Sequence, residues 1–367
     1  MFLKVNEHSG NHSLLKQKKN ILVAPLHWGL GHATRCIPII HALLDSGYRV
    51  TLASDGAALA LLKIEFPQLE CLELPPYNIQ YTRKGVFLKL KLLFTLPQIR
   101  KTILEEKKFI IGLVKEGKID GIISDNRLGI NSKKVPSVFI THQLNVLSGS
   151  TSWLSSKAHQ RIIMKFNECW VPDLDGPGSL SGKLGHLKKH RIPVKYIGPL
   201  SRMKPQQLPI KYAVLCLLSG PEPQRSILEE KLIKIFRGSG KKVVIVRGVV
   251  EEVVRKQEDS NLTVINFLPS KELEKLINES DLVICRSGYT TIMDLAVMGK
   301  KAFFIPTPGQ YEQQYLAERL ASKNVVPFCK QEEFELAKLD MVSGYKGLQG
   351  YESNKNLEHL FRLFERE

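Results

Sequence analysis

An α/β fold is predicted, with two Rossmann-like domains whose parallel sheets face each other across a cleft. Three observations predict it. Apolar runs alternate with helical spacings from Asn20 onward, the order that builds β-loop-α-β units and parallel sheets. The alternation comes in two sets, separated by VKYIGPLSRMKPQQLPIKY, a polar stretch punctuated by Pro199, Pro205 and Pro209. In each set a strand runs into a glycine loop that opens a helix, at Gly29 and Gly31 and again at Ser219 and Gly220. A chain of 367 residues is comfortable for two domains. The expected division is a polar tail over 1–19, a first domain over 20–200, a linker over 201–211 and a second domain over 212–345. A last helix within 346–367 is placed to pack back on the first domain.

In the first set NILVAP, YRVTLAS, ECLELP, DGIISD, PSVFITH and CWVPD read as strands, with helices expected over 32–46, 55–63, 87–114 and 152–166. In the second set the strands are AVLCLLS, KKVVIVR, LTVINF, DLVIC, KAFFIP and NVVPF. TTIMDLAVMG is helical in spacing and stops at Gly299, a natural helix terminator.

Six cysteines (Cys36, Cys71, Cys169, Cys216, Cys285, Cys329) are scattered through apolar contexts without a C-x-x-C pair, which predicts buried free thiols in a reducing compartment. The opening MFLKVNEHSGNHSLLKQKKN lacks the apolar core of a signal peptide, and no run approaches the roughly 20 apolar residues of a membrane span. A cytoplasmic location is expected. The net charge of +17 asks for a polyanionic partner: a phosphorylated small molecule, an anionic membrane or a nucleic acid. No zinc pattern, helix-turn-helix signature or aromatic-interleaved basic strand supports nucleic acid. The segment 81–108 is basic and amphipathic, and Lys84, Phe87, Lys89, Lys91 and Phe94 suit an anionic membrane surface; packing of its apolar side into its own core is the rival reading.

The most informative stretch is DLVICRSGYTTIMDLAVMGKKAFFIPTPGQYEQQY, over 281–315. It builds two strand ends side by side, each leading into a helix. Ligands of open parallel sheets bind at such carboxyl ends, where free helix N–H groups receive phosphate. Asp294, Glu312, Gln313 and Gln314 lie close by in sequence, and carboxylates and amides suit sugar hydroxyls. A nucleotide-sugar site follows. Ser219, Gly220 and the donor fork of Arg225 could hold a diphosphate, with a Pro-rich turn and an exposed arginine as the plainer reading.

In the first domain His32 opens the helix after the glycine loop, where the positive helix end favours the neutral imidazole that a general base requires. The alternative is a helix-start histidine bonded to a carbonyl. Asp125 and His142 end two further strands at the same sheet edge and are the other base candidates; their structural readings are a turn-capping carboxylate and a satisfied loop residue. Asp173-Leu174-Asp175 spells D-x-D, but its Gly/Pro context reads as a turn and not as a metal site.

At these residues the chain resembles GT-B glycosyltransferases of the MurG type, a family 28-like pattern covering nearly all of 20–340. CRSGYTTIMDLAVMGKKAFFIP followed by GQYEQQYLAERL carries the resemblance, including Arg286, Ser287, Gly288 and Thr290. It implies that Asp294 holds ribose hydroxyls of UDP, that Gln313 and Gln314 contact the donor sugar, that backbone near Phe267 and Leu268 receives uracil, and that SGPEPQR lies at the diphosphate. GLGH and HQLN resemble elements of the first domain, although Gln143 stands where an acid is usual and Asp294 where a glutamate is usual. The implied activity is inverting transfer of a hexose or N-acetylhexosamine from a UDP-sugar to a hydroxyl acceptor, a lipid-linked one among the candidates, with no metal cofactor. The rivals are a UDP-sugar hydrolase or epimerase on the same scaffold, and a non-catalytic basic module binding membrane or nucleic acid.

Overall fold

The computed structural model describes residues 18–77, 88–187, 192–251, 253–352 and 356–365. Two parallel-sheet α/β domains face each other. The first sheet has seven strands in the order β3-β2-β1-β4-β5-β6-β7. They are β1 (Asn20–Pro25), β2 (Arg49–Ser54), β3 (Glu70–Glu73), β4 (Gly121–Asp125), β5 (Ser137–Ile140), β6 (Glu168–Val171) and β7 (Val194–Tyr196). The helices between them are α1 (Gly31–Asp45), α2 (Gly56–Glu65), α3 (Leu88–Lys115) and α4 (Ser152–Ile163).

Alternate residues of a strand serve opposite faces. Ile21 and Val23 of β1 accordingly pack with Ala33, Ile37 and Ile40 of α1, whereas Leu22 and Ala24 pack with Ile110 of α3. On the same principle Phe139 of β5 packs with Ile163 of α4. Both faces are covered, so the strands are continuous apolar runs.

The second sheet runs β10-β11-β9-β8-β12-β13, parallel except for the β10-β11 pair. Its strands are β8 (Tyr212–Leu217), β9 (Val243–Val246), β10 (Lys256–Asp259), β11 (Leu262–Ile265), β12 (Ser280–Cys285) and β13 (Lys301–Phe304). The helices are α5 (Gln224–Phe236), α6 (Ser270–Asn278), α7 (Tyr289–Val297) and α8 (Tyr311–Ser322). One apolar cluster runs from α1 through the interface to Ile292 and Leu295 of α7 and Leu316 of α8. The two domains therefore share core, and a change in their angle must move apolar surface.

The last helix, α9 (Glu358–Glu365), lies on the first domain. Phe361 and Phe364 meet Tyr48 edge-on at 5.9 and 6.5 Å, and Lys19 Nζ donates to the Phe364 carbonyl at 2.7 Å. At Gly121 an added Cβ would come within 2.5 Å of the Phe364 ring, so glycine is what lets the helix seat.

Some expectations change. NVVPF makes only an isolated bridge, Phe304 to Phe328, because Pro327 has no N–H to extend a ladder. β7 and β10 were not expected; β7 spans three residues, and every residue of β10 is exposed and polar, so neither has an apolar signature. α4 ends at Ile163, short of 166. Lys84 and Phe87 lie outside the described residues, and Lys89, Lys91 and Phe94 lie in α3 where side chains are not described. All six cysteines are free, five of them buried.

Candidate active site at the domain interface

The loop after β1 turns at Gly29, whose φ of 85° is left-handed and favours glycine. It delivers the start of α1 against the start of α7. Thr290 Oγ1 donates to the Gly31 carbonyl at 3.1 Å, and a Cβ on Gly31 would stand 3.0 Å from that hydroxyl. A methyl group at Gly31 would crowd the Thr290 side chain at this domain contact.

His32 follows at once. Its Nδ1 lies 2.7 Å from Asp125 Oδ1 at the end of β4. Arg35, one turn along α1 and buried, grips both Asp125 oxygens through Nε and Nη2. Its Nη1 donates to His142 Nδ1 at 2.9 Å. Burial alone would raise the Asp125 carboxyl, but Arg35 and His32 overcome it and hold it at about 2. Arg35 Nη2 also lies 2.8 Å from His32 Nδ1, but the acceptor-only Asp125 carboxylate faces the same nitrogen at 2.7 Å, so the His32 proton is assigned to Nδ1 and the lone pair to Nε2. Burial lowers the His32 pKa, Asp125 opposes this, and Arg35 and His142 add to the lowering. The lowered pKa favours the neutral imidazole that a general base requires.

A guanidinium only donates. His142 Nδ1 must therefore accept from Arg35, which puts the His142 proton on Nε2. That nitrogen lies 2.7 Å from Glu312 Oε1 in the first turn of α8, and Gln143 Nε2 donates to Glu312 Oε2. The His142 ring stacks on Tyr289 at 4.2 Å and 10°, and Tyr289 donates to the Pro172 carbonyl at 2.8 Å. Burial, opposed and outweighed by His142, His32 and Arg35, leaves Glu312 below the ordinary carboxylate value.

Three sequence candidates, His32, Asp125 and His142, thus form one cluster. Arg35, which joins them, was missed; its position three residues after His32 puts it on the same helix face but does not by itself mark it as buried. Arg127, two residues after Asp125, has a different task. Arg127 is buried and donates to Glu106, Asp55 and the Pro75 carbonyl, each at 2.7 Å, anchoring α3 and α2 to the sheet.

On the second domain, Gly288 caps α7 without a side-chain hydrogen bond, and a Cβ there would meet open space. Ser287 Oγ donates to the Gln313 carbonyl at 2.7 Å, and the Gln313 amide oxygen accepts from Thr307 N at 2.8 Å. Gln313 therefore braces the loops after β12 and β13, while Gln314 donates to Glu318 at 2.9 Å on the exposed side. Arg286 turns inward and donates to the carbonyls of Ile305, Pro306 and Gln224 and to Gln331 Oε1, knitting the strand ends to α5.

Ser219 is exposed after β8, and Gly220 follows with φ 99°. The Arg225 fork is engaged by Glu222 and the Arg247 carbonyl. Phe267 is buried and Leu268 half-buried in the loop after β11. Asp294 is half-buried and accepts from Ser201 Oγ at 2.6 Å. Burial pushes its carboxyl up to about 6 against the opposing pull of Arg202 and Ser201.

Among the described residues no group of three or more His, Cys, Asp or Glu side chains is arranged to hold a metal ion. Asp173 of the D-x-D string accepts from Leu180 N, Ser181 N and Ser181 Oγ and closes its own loop.

Two parallel-sheet domains meeting along such an interface make the GT-B architecture. Residues 224–345 match the glycosyltransferase family 28 C-terminal domain. The chain is 24% identical over 324 residues to the UDP-N-acetylglucosamine--N-acetylmuramyl-(pentapeptide) pyrophosphoryl-undecaprenol N-acetylglucosamine transferase of Haemophilus ducreyi, covering 83% of each chain. It is 25% identical over 305 residues to an uncharacterized glycosyltransferase of Methanosarcina acetivorans, covering 78% of this chain and 79% of that one. Among solved structures it resembles the kitacinnamycin glycosyltransferase (TM-score 0.58, 14% identity, 89% of each chain) and Acinetobacter baumannii MurG (TM-score 0.51, 15% identity, 89% of each chain). The protein is a glycosyltransferase, with residues 224–345 matching the family 28 C-terminal domain and most of the chain similar to MurG-type enzymes.

Proposed function

We propose that the protein transfers an N-acetylhexosamine or hexose from a UDP-sugar to a hydroxyl of a lipid-linked acceptor, with inversion and without a metal. The observation that carries the proposal is the His32–Asp125 pair, set where the start of α1 meets the uncapped start of α7. His32 Nε2 takes the acceptor hydroxyl's proton as that oxygen forms its bond to the anomeric carbon. The bond from that carbon to the diphosphate breaks on the opposite side. The electron pair leaves on UDP, where the amino end of α7 and Ser219 meet the growing negative charge. Asp294 orients the ribose, and Gln314 and the loop braced by Gln313 orient the sugar.

Two features support a lipid-linked acceptor. The Haemophilus ducreyi relative is named for an undecaprenol-linked one. In addition, α4 exposes Trp153 at 69% and Leu154 at 63% beside Lys157 and Arg161, with Met164 and Lys165 exposed in the turn just after it and Lys157 Nζ 4.2 Å over the Trp153 ring. Aromatic, aliphatic and cationic groups on one helix suit an anionic membrane surface. Ser156 of α4 accepts from Val146 N, and Gln160 donates to the Leu144 carbonyl, so this helix is bonded to the loop that follows His142. Among the described residues no helix is long and apolar enough to cross a membrane.

The test is product analysis with radiolabelled UDP-sugars in the presence and absence of a lipid extract. Label passing into the lipid phase supports transfer. Release of free sugar, or of an epimer, at the same rate without lipid would instead make the protein a hydrolase or epimerase.

A further inference from the structure

Glu312 belongs to the second domain, yet both its oxygens are engaged by the first. Oε1 faces His142 Nε2 at 2.7 Å and Oε2 accepts from Gln143. We propose that Glu312 is a positioning residue, through which closure of the donor-binding domain sets the His32 base in its working geometry.

The reasoning is a chain of donors and acceptors in which the acceptor-only Asp125 carboxylate at 2.7 Å, rather than the Arg35 Nη2 contact at 2.8 Å, places the His32 proton on Nδ1. His142 donates from Nε2 to Glu312, which leaves Nδ1 free to accept from Arg35 Nη1 at 2.9 Å. That bond steers the guanidinium so that its Nε and Nη2 meet Asp125. Asp125 in turn receives His32 Nδ1–H at 2.7 Å and leaves Nε2 to the acceptor. Take Glu312 away and His142 Nε2–H loses its acceptor. The ring can then invert its tautomer, and a proton on Nδ1 would oppose Arg35. Displacing the guanidinium would loosen Asp125 and with it His32.

The proposal rests on His32 being the base, but it concerns only how that histidine is held. The charged and titratable groups facing His32 are Asp125, Arg35, His142 and, through His142, Glu312. Glu312 directly precedes Gln313 and Gln314, so the turn that carries these donor-side glutamines is the one that completes the base. A donor-free, open form would hold a slack histidine, and closure would tighten it.

The experiment is histidine-selective NMR of the full chain as wild type, Glu312→Ala and Glu312→Gln, titrated from acid to alkaline pH with and without UDP. It needs no acceptor and no turnover. The expected result is that Glu312→Ala moves both the His32 midpoint and its Nδ1–H tautomer signal. In Glu312→Gln, where the amide oxygen can still accept from His142, the tautomer should be retained. UDP affinity should change by less than about threefold in both variants, since Glu312 bonds only first-domain groups. In a transfer assay, Glu312→Ala should lower kcat about 10- to 100-fold with donor KM little changed. His32 signals that titrate identically in wild type and Glu312→Ala would overturn the proposal, whatever reaction the protein proves to catalyse. A tenfold loss of UDP affinity in Glu312→Gln would also overturn it, by making Glu312 a donor ligand. If the NMR changes appear and no glycosyl transfer is found, the assigned reaction fails and the positioning role stands.

Discussion

Ser201 donates to Asp294 at 2.6 Å, joining the chain between the domains to the second turn of α7. Ser201 Oγ also accepts from Met203 N at 3.0 Å, and neighbouring Arg202 reaches Ser270 at 2.8 Å and Glu65 at 3.3 Å. A ribose hydroxyl bonding Asp294 would compete with Ser201. Asp294→Ala should therefore weaken UDP by about 10- to 100-fold, the cost of one or two hydrogen bonds to a charged acceptor. A thermal-shift panel of UDP, CDP and GDP checks it: UDP at 100 times its Kd should add about 2.7 kcal/mol to wild type and far less to the variant.

The raised Asp294 carboxyl sets a pH dependence. Its pKa stands at about 6 in the folded protein against an ordinary 3.8, so folding favours the neutral form. Below pH 3.8 the group is protonated folded or unfolded and the difference vanishes. Between 3.8 and 6 the cost of ionising it in the folded protein grows, and above 6 that cost is fully present. The Tm of Asp294→Asn relative to wild type should rise as pH goes from 5 to 8. Calorimetric melts at the two pH values decide it; a flat difference would mean that the carboxyl ionises freely.

Gly31 and Thr290 make a close interdomain contact that a methyl group would crowd. Gly31→Ala should disfavour closure and lower kcat several-fold, with the stability of the separate folds little altered. Thr290→Ala removes the opposing hydroxyl, so the double variant should recover part of the loss. A double-mutant cycle measures this coupling; strict additivity would place the effect of Gly31→Ala elsewhere.

The exposed face of α4 should bind anionic vesicles. Lys157→Glu with Arg161→Glu should weaken sedimentation with phosphatidylglycerol liposomes by roughly tenfold or more, at about 1 kcal/mol per cation. These side chains are on the surface, so melting temperatures should stay within about 2 °C. Binding to neutral vesicles should be weak for wild type and variant alike.

Much of this fold was legible because buried parallel strands are apolar runs and glycines mark their exits. The polar β10 and the three-residue β7 carry no such signature, and Pro327 disguises a broken pairing as a strand. In the site, His32, Asp125 and His142 could be picked out as polar residues at strand ends and a helix start. Arg35 could not be distinguished from a solvated helix cation, because its burial depends on Asp125, 90 residues away. The same holds for Ser201, whose partner Asp294 lies 93 residues on. Gln313 reads as a sugar ligand by residue type, and nothing in the sequence marks its amide oxygen as also accepting from Thr307 N. Sequence shows residue type and order; which face of a polar side chain is already occupied emerges only with the tertiary contacts.

The most direct measurement is sugar transfer into a lipid extract by wild type and His32→Ala across pH, with UDP binding followed by calorimetry. Wild-type kcat should fall on the acid side through a pKa below 6.5, because burial depresses His32 and its neutral form is the base. His32→Ala should lose about 10²- to 10⁴-fold in kcat and the acid limb with it, while the UDP Kd stays within about twofold. A His32→Ala enzyme that keeps its rate and pH profile, or one that loses UDP binding instead, would contradict the assignment of His32 as the base.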